Sequence, residues 1–220
     1  MRMISIEQIK SDKNISALIK HADRNLQVIG YTEHGFRHAE IVCARAGKLL
    51  RDLKYDERRA QLAEMAGYLH DVGNIISRHN HAQHGAGIVF DILTQKEMPL
   101  EEVLEIVSAV GNHHEDDGDP VSDITSALIL ADKSDMHRSR VRNPNTVSLD
   151  IHDRVNYAAR ESKLSIVSEE AIELSILIDP NISSVMEYFE IFLDRMVISR
   201  RAAKFLGRNF ELVINGVRLT

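Results

Sequence analysis

Residues Ala66–Asn74 read AGYLHDVGN, a run of helix-forming apolar residues that ends on two adjacent ionisable groups, His70 and Asp71. The preceding Leu62, Met65, Ala66 and Leu69 follow helical spacing, so the pair lies at the end of an amphipathic helix. A charge placed at a core is costly unless it is paired or bound to metal. The rest of the chain should therefore supply partners.

Three further helical sets lie on either side. They are Val42, Ala46, Leu49, Leu50 and Leu53; Val103, Ile106, Val107 and Val110; and Ile124, Ala127, Leu128 and Ala131. Each set begins or ends beside a potential metal ligand. His38 precedes Val42 by one turn, His113 and His114 follow Val110, and Asp132 follows Ala131. The stretches KYDE, VGN, EMPL and DDGDPVSD punctuate the sets as turns or helix starts, and Ser122 or Asp123 can cap the fourth helix. Eight of the 11 histidines fall between His34 and His114. Imidazoles and carboxylates from three or four helices thus converge on one interior, a ligand set suited to Fe, Mn, Zn and related ions.

Composition narrows the alternatives. The 220 residues are 44% hydrophobic and 27% charged, an ordinary globular balance. No stretch approaches the roughly 18 continuous apolar residues of a membrane span, and the N-terminal sequence has no apolar signal region. The single Cys43 allows no internal disulfide and suits a small core residue in a reducing compartment. A cytoplasmic location with no membrane partner is expected. The net charge of −6, the absence of Trp and the 5% aromatic content argue against a nucleic-acid polymer as partner.

After about Arg160 the character changes. KLSIVS and AIELSILID are short β-prone runs, a long helical stretch follows, and Asn215-Gly216 between apolar-containing runs signals a type I′ hairpin. The expected architecture is mainly α: a helical bundle over residues 1–160, with a C-terminal α+β extension over residues 161–220. The extension is expected to hold antiparallel strands and one long helix. Val185, Met186, Phe189, Phe192, Leu193 and Met196 give that helix an apolar face for the core or for a homodimer.

The order His38, then His70-Asp71 in LHDVGN, then Asp132 in LILADKSD, resembles the HD superfamily of metal-dependent phosphohydrolases. The resemblance spans about residues 30–142. His84-Gly85 in HAQHGAG and His113-His114 in VGNHHEDDG are similar to the extra motifs of its binuclear branch. The resemblance implies two divalent metal ions, with Fe or Mn favoured and Zn, Ni or Co acceptable. One would be held by His38, His70, Asp71 and Asp132. The other would be held by His84, His113 and His114, with Asp71 bridging. His79 and His81 read as loop histidines, and His34 as a possible neighbour of His38 on one helix face. The chain departs from the cyclic-dinucleotide enzymes of that branch at Asn74, where they carry Lys, and in lacking their Gly-Tyr-Pro element.

The implied function is hydrolysis of a nucleotide or another small phosphate ester or anhydride through a metal-activated hydroxide, with His70 and Asp71 at the catalytic centre. Lys133, Arg138 and Arg142 are the candidate binders of substrate phosphate. Arg138 and Arg142 are four residues apart and would share a helix face. The alternatives are a mononuclear HD nucleotidase and a non-catalytic domain that senses nucleotide or metal.

Overall fold

Capping residues and apolar spacing set the helices of the computed structural model, which describes residues 3–147 and 150–219. Helices α1 (Ile6–Lys10) and α2 (Lys13–Val28) lead into α3 (Phe36–Asp52), which buries Val42, Ala46, Leu49 and Leu50 of the expected stripe together with Ala39, while Leu53 caps the helix and is only partly buried. Helix α4 (Glu57–Leu69) starts where the Asp56 side chain accepts the Arg59 N–H, and stops immediately before His70. A 3₁₀ turn, Val72–Ile75, follows.

Helices α5 (His81–Gln95), α6 (Leu100–Gly111), α7 (Asp123–Lys133) and α8 (Ile151–Ala158) complete the bundle. Ser122 caps α7 by accepting from the Thr125 N–H. α3 packs on α4 and α7, and α5 packs on α6. Leu69 and Leu128 are fully buried between these helices. Burial of such a side chain contributes roughly 1.5–3 kcal/mol.

The C-terminal strands β1 (Ala159–Ile166), β2 (Ala171–Ile178), β3 (Asn209–Ile214) and β4 (Val217–Arg218) form one sheet in chain order. β1–β2 and β3–β4 are antiparallel, as expected, but β2–β3 is parallel. The long helix α9 (Val185–Phe205) is the reason. It crosses over between β2 and β3 and returns the chain to the end of the sheet where β2 began. Asn215 and Gly216 both adopt positive φ, 51° and 79°, which the type I′ turn between β3 and β4 requires.

The extension is not separately cored. One hydrophobic cluster holds Leu128 and Ala131 of α7 together with Phe192 and Met196 of α9 and Leu174 of β2. The expected α9 face is split, because Phe192 and Met196 are buried while Met186 and Leu193 are 75% and 55% exposed. Among the described residues, no helix is long and apolar enough to cross a membrane.

Candidate metal centre

His38 sits in the first turn of α3, His70 and Asp71 at the end of α4, His81 at the start of α5, His113 just past α6, and Asp132 near the end of α7. His38, His70, Asp71, His81 and His113 are buried. Their ligand atoms fall into three overlapping groups that could hold a metal ion: His38, His70 and Asp71; His70, His113 and Asp132; and Asp71, His81 and His113.

Backbone carbonyls orient three of these imidazoles, and a carboxylate orients the fourth. Nδ1 of His70 donates to Gly67 O (2.8 Å), Nδ1 of His113 to Val110 O (2.7 Å), and Nδ1 of His81 to Arg78 O (3.0 Å). Nδ1 of His38 donates to Asp135 Oδ2 (2.7 Å), and Asp135 is itself gripped by both terminal nitrogens of Arg37. These bonds fix the tautomer and leave each Nε2 free to act as a ligand.

The Nε2 atoms face the carboxylates. His38 Nε2 is 3.3 Å from Asp132 Oδ1, His70 Nε2 is 3.4 Å from Asp71 Oδ2, and His81 Nε2 is 3.5 Å from Asp71 Oδ1. Asn74 donates to Asp71 Oδ1 and to the Asp71 carbonyl, both at 2.9 Å, while Asp71 Oδ2 is buried without a hydrogen bond among the described residues.

The electrostatics of the cluster suit a cation. Burial alone would raise the Asp71 carboxyl, but His70 and other nearby histidines outweigh it and hold it well below the usual carboxylate range. Asp132 behaves alike: burial is outweighed mainly by Lys133, with His38 and His70 adding to it. Burial pushes His113 well below its ordinary value and His81 down to about 3, so both are neutral and able to ligate. Burial also opposes charge on His70, yet Asp71 and Asp132 draw it upward. Neutral imidazoles at His81 and His113, two ionised carboxylates and an orphaned carboxylate oxygen fit a divalent metal.

The structure rearranges part of the expected site. His81, expected in a loop, is 2% exposed and joins Asp71 and His113, whereas among the described residues His84 belongs to none of the three groups and its buried Nδ1 has no hydrogen bond. Both residues lie in the first turn of α5, and only the first of them meets Asp71. His81 is one turn before Gly85, and that spacing was the available signal. Gly85 packs against Gly73: a Cβ on Gly73 would lie 1.9 Å from His81 O and 2.4 Å from Gly85 N. This backbone contact docks the start of α5 on the turn after Asp71.

His114 adjoins the cluster, its ring centroid 4.7 Å from that of His81, without joining a ligand group. His34 precedes α3 rather than sharing its face, with its ring centroid 5.4 Å from that of His38.

The phosphate-binding candidates also move. Lys133 is buried between Asp132 Oδ2 (2.7 Å) and Glu115 Oε2 (2.5 Å). Arg138 and Arg142 share no helix face, because Arg138–Arg140 is a 3₁₀ turn and Val141 is extended. Arg138 lies over the Tyr157 ring, and Arg142 is bound by Asp23 and by the carbonyls of Tyr31 and Thr32. Neither lines the cavity beside the cluster. That cavity, about 920 Å³, is walled by His34, His81 and His114 and by Arg78, Arg140 and Arg195. Arg78 and Arg195 were not singled out in the sequence, because neither adjoins a ligand motif.

The HD domain family model matches residues 35–157. This chain belongs to the HD domain family. The match begins three residues before His38 and includes all six clustered ligand candidates. Relatives include an uncharacterized protein, MJ1020, of Methanocaldococcus jannaschii, 25% identical over 89% of this chain and 83% of its own length. Ribonuclease Y of Aster yellows witches'-broom phytoplasma is 24% identical over 86% of this chain, and ribonuclease Y of Bacillus subtilis 29% identical over 73%. The chain spans only 33% and 28% of those two ribonucleases.

Proposed function

We propose that this HD domain is a metal-dependent phosphohydrolase that acts on a small phosphate ester or anhydride, a nucleotide foremost. The observation that carries the reading is the convergence of Nε2 atoms from His38, His70, His81 and His113 on Asp71 and Asp132. His38, His70, Asp71 and Asp132 would hold one divalent ion; Asp71, His81 and His113 would hold a second, with Asp71 shared. Fe and Mn suit this nitrogen and oxygen set, as do Zn, Co and Ni. A bound ion supplies Lewis-acid charge that lowers the pKa of water and polarises a phosphoryl oxygen.

The chain's own groups do the positioning. Asn74 donates to Asp71 Oδ1 and so orients the carboxylate, leaving a second lone pair on that oxygen and all of Oδ2 for ligation. Lys133 holds Asp132 from behind. The volume of about 920 Å³ matches the upper part of the small-ligand range, roughly 300–1,000 Å³. Asp116, Asp117 and Asp150 also line the cavity, which favours a small substrate over a polyanionic strand. The relatives named ribonuclease Y favour a second reading, in which an RNA phosphodiester is cleaved.

The test is anaerobically prepared, Mn²⁺-loaded full chain assayed on p-nitrophenyl phosphate, bis(p-nitrophenyl) phosphate, a nucleotide panel and an oligoribonucleotide. Turnover of nucleotides or small esters, abolished in Asp71→Asn, is expected. Turnover of the oligoribonucleotide alone would select the second reading. Stoichiometric metal with saturable nucleotide binding and no turnover would overturn both in favour of a sensor.

A further inference from the structure

Three guanidinium groups wall the cavity, and one of them is already committed. Arg140 is buried, with Nη1 donating to Asp135 O (2.7 Å) and Nε to Glu33 O (3.2 Å). Arg195 differs. It comes from α9, in the C-terminal extension, and is held at its inner end only. Its Nε donates to Glu115 Oε1 (3.2 Å) and its guanidinium lies over the Phe192 ring, 4.5 Å from the centroid. Its two terminal nitrogens make no hydrogen bond among the described residues, and the side chain is 20% exposed. A planar fork fixed by a stack and one bond is preorganised for a tetrahedral oxyanion.

Arg195 is also tied to the metal centre. Glu115 is shared between Arg195 and Lys133, and Lys133 bonds Asp132, so one chain of ion pairs runs from the ligand set to α9. Arg78, from the segment before α5, reaches the same cavity. It stacks on Tyr31, and its Nη1 is 3.5 Å from His81 Nε2 and 4.0 Å from Asp71 Oδ1.

We propose that Arg195 and Arg78 form the site that grips the substrate's phosphoryl group, so that the C-terminal helix α9 completes the substrate site of the helical domain. The proposal rests on the phosphohydrolase reading for its substrate class. The extension then sets substrate choice. A terminal phosphate held by Arg195 would sit against α9, with the remainder of the substrate toward the mouth of the cavity.

The experiment is calorimetric titration of inorganic phosphate into the Mn²⁺-loaded full chain, beside Arg195→Ala, Arg195→Lys and Arg142→Ala, with metal content measured on each. Loss of one charged hydrogen-bonding group should weaken phosphate by about tenfold or more in Arg195→Ala. Arg195→Lys keeps the charge and should lose less, Arg142→Ala should bind as wild type, and all should retain metal. Wild-type phosphate affinity in Arg195→Ala would overturn the proposal, as would a loss of metal in both Arg195 variants, which marks a structural prop. Metal-loaded wild type that binds no phosphate would also overturn it while leaving the metal centre intact. A wild type that holds no metal would instead remove the phosphohydrolase reading, and the proposal with it.

Discussion

His38 Nε2 and His70 Nε2 stand 3.2 Å apart, while Nδ1 of each ring donates away from the pair, to Asp135 and to Gly67 O. Two bare lone pairs at that separation repel unless a positive charge lies between them. Asp71 and Asp132, within 4 Å of both nitrogens, sharpen the demand. The fold has placed ligands where a cation lowers their energy.

Metal should therefore stabilise the folded chain. At one hundred times its dissociation constant a ligand contributes ~2.7 kcal/mol, and each kcal/mol raises Tm by roughly 2–4 °C in a chain of this size. A rise of roughly 5–10 °C is expected on adding Mn²⁺ to chelator-treated protein, read by differential scanning calorimetry. An unchanged Tm with Mn²⁺, Fe²⁺, Zn²⁺, Co²⁺ and Ni²⁺ would count against the site.

Asp135 should tune metal affinity without touching metal. It fixes the His38 tautomer and is held ionised: burial would raise its carboxyl, but the bond from His38, together with Arg140 and Arg37, brings it below the usual range. Asp135→Asn keeps an acceptor but loses the charge that makes His38 a strong ligand. A loss of roughly 10–100-fold in affinity is expected, measured by competition with a chromophoric chelator. Wild-type affinity would show that His38 needs no such partner.

Gly73 and Gly87 make a contrasting pair. A Cβ on Gly73 would strike the backbone of His81 and Gly85, whereas one on Gly87 meets nothing within 4 Å. Gly73→Ala should cost roughly 1–3 kcal/mol or more and displace His81. Gly87→Ala, inside α5, should gain about 0.5–1 kcal/mol. Urea unfolding with metal content on each variant checks both, and a neutral Gly73→Ala would contradict the close docking of α5.

Most of the bundle was legible because burial and helical spacing coincide. Val42, Ala46, Leu49 and Leu50 announce α3, and Leu69 with His70 marks where α4 must stop. The parallel β2–β3 pair was not legible, since strand direction depends on where α9 carries the chain and not on the strand residues themselves. His84 and His81 share one helical turn, and His81, one turn before the Gly85 that docks on Gly73, is the one that meets Asp71. Arg138 and Arg142 misled because a spacing of four has meaning only on a helix, and Val141 breaks it. Arg195 lies beyond the family motifs, and only tertiary packing brings it to the cavity.

Cys43 should be inert in the native state. It is 2% exposed in α3, and burial pushes its thiol up to about 12, so it stays protonated at pH 8. Ellman's reagent should label it only after unfolding. Rapid labelling of native protein would contradict its placement in the core.

Elemental analysis of anaerobically purified full chain, wild type beside His81→Ala and His84→Ala, counts the metal ions directly. A two-metal centre that shares Asp71 and uses His81 should hold near two equivalents of divalent metal in wild type and in His84→Ala, falling toward one in His81→Ala. Metal lost from His84→Ala and retained in His81→Ala, or absent from wild type, would contradict it.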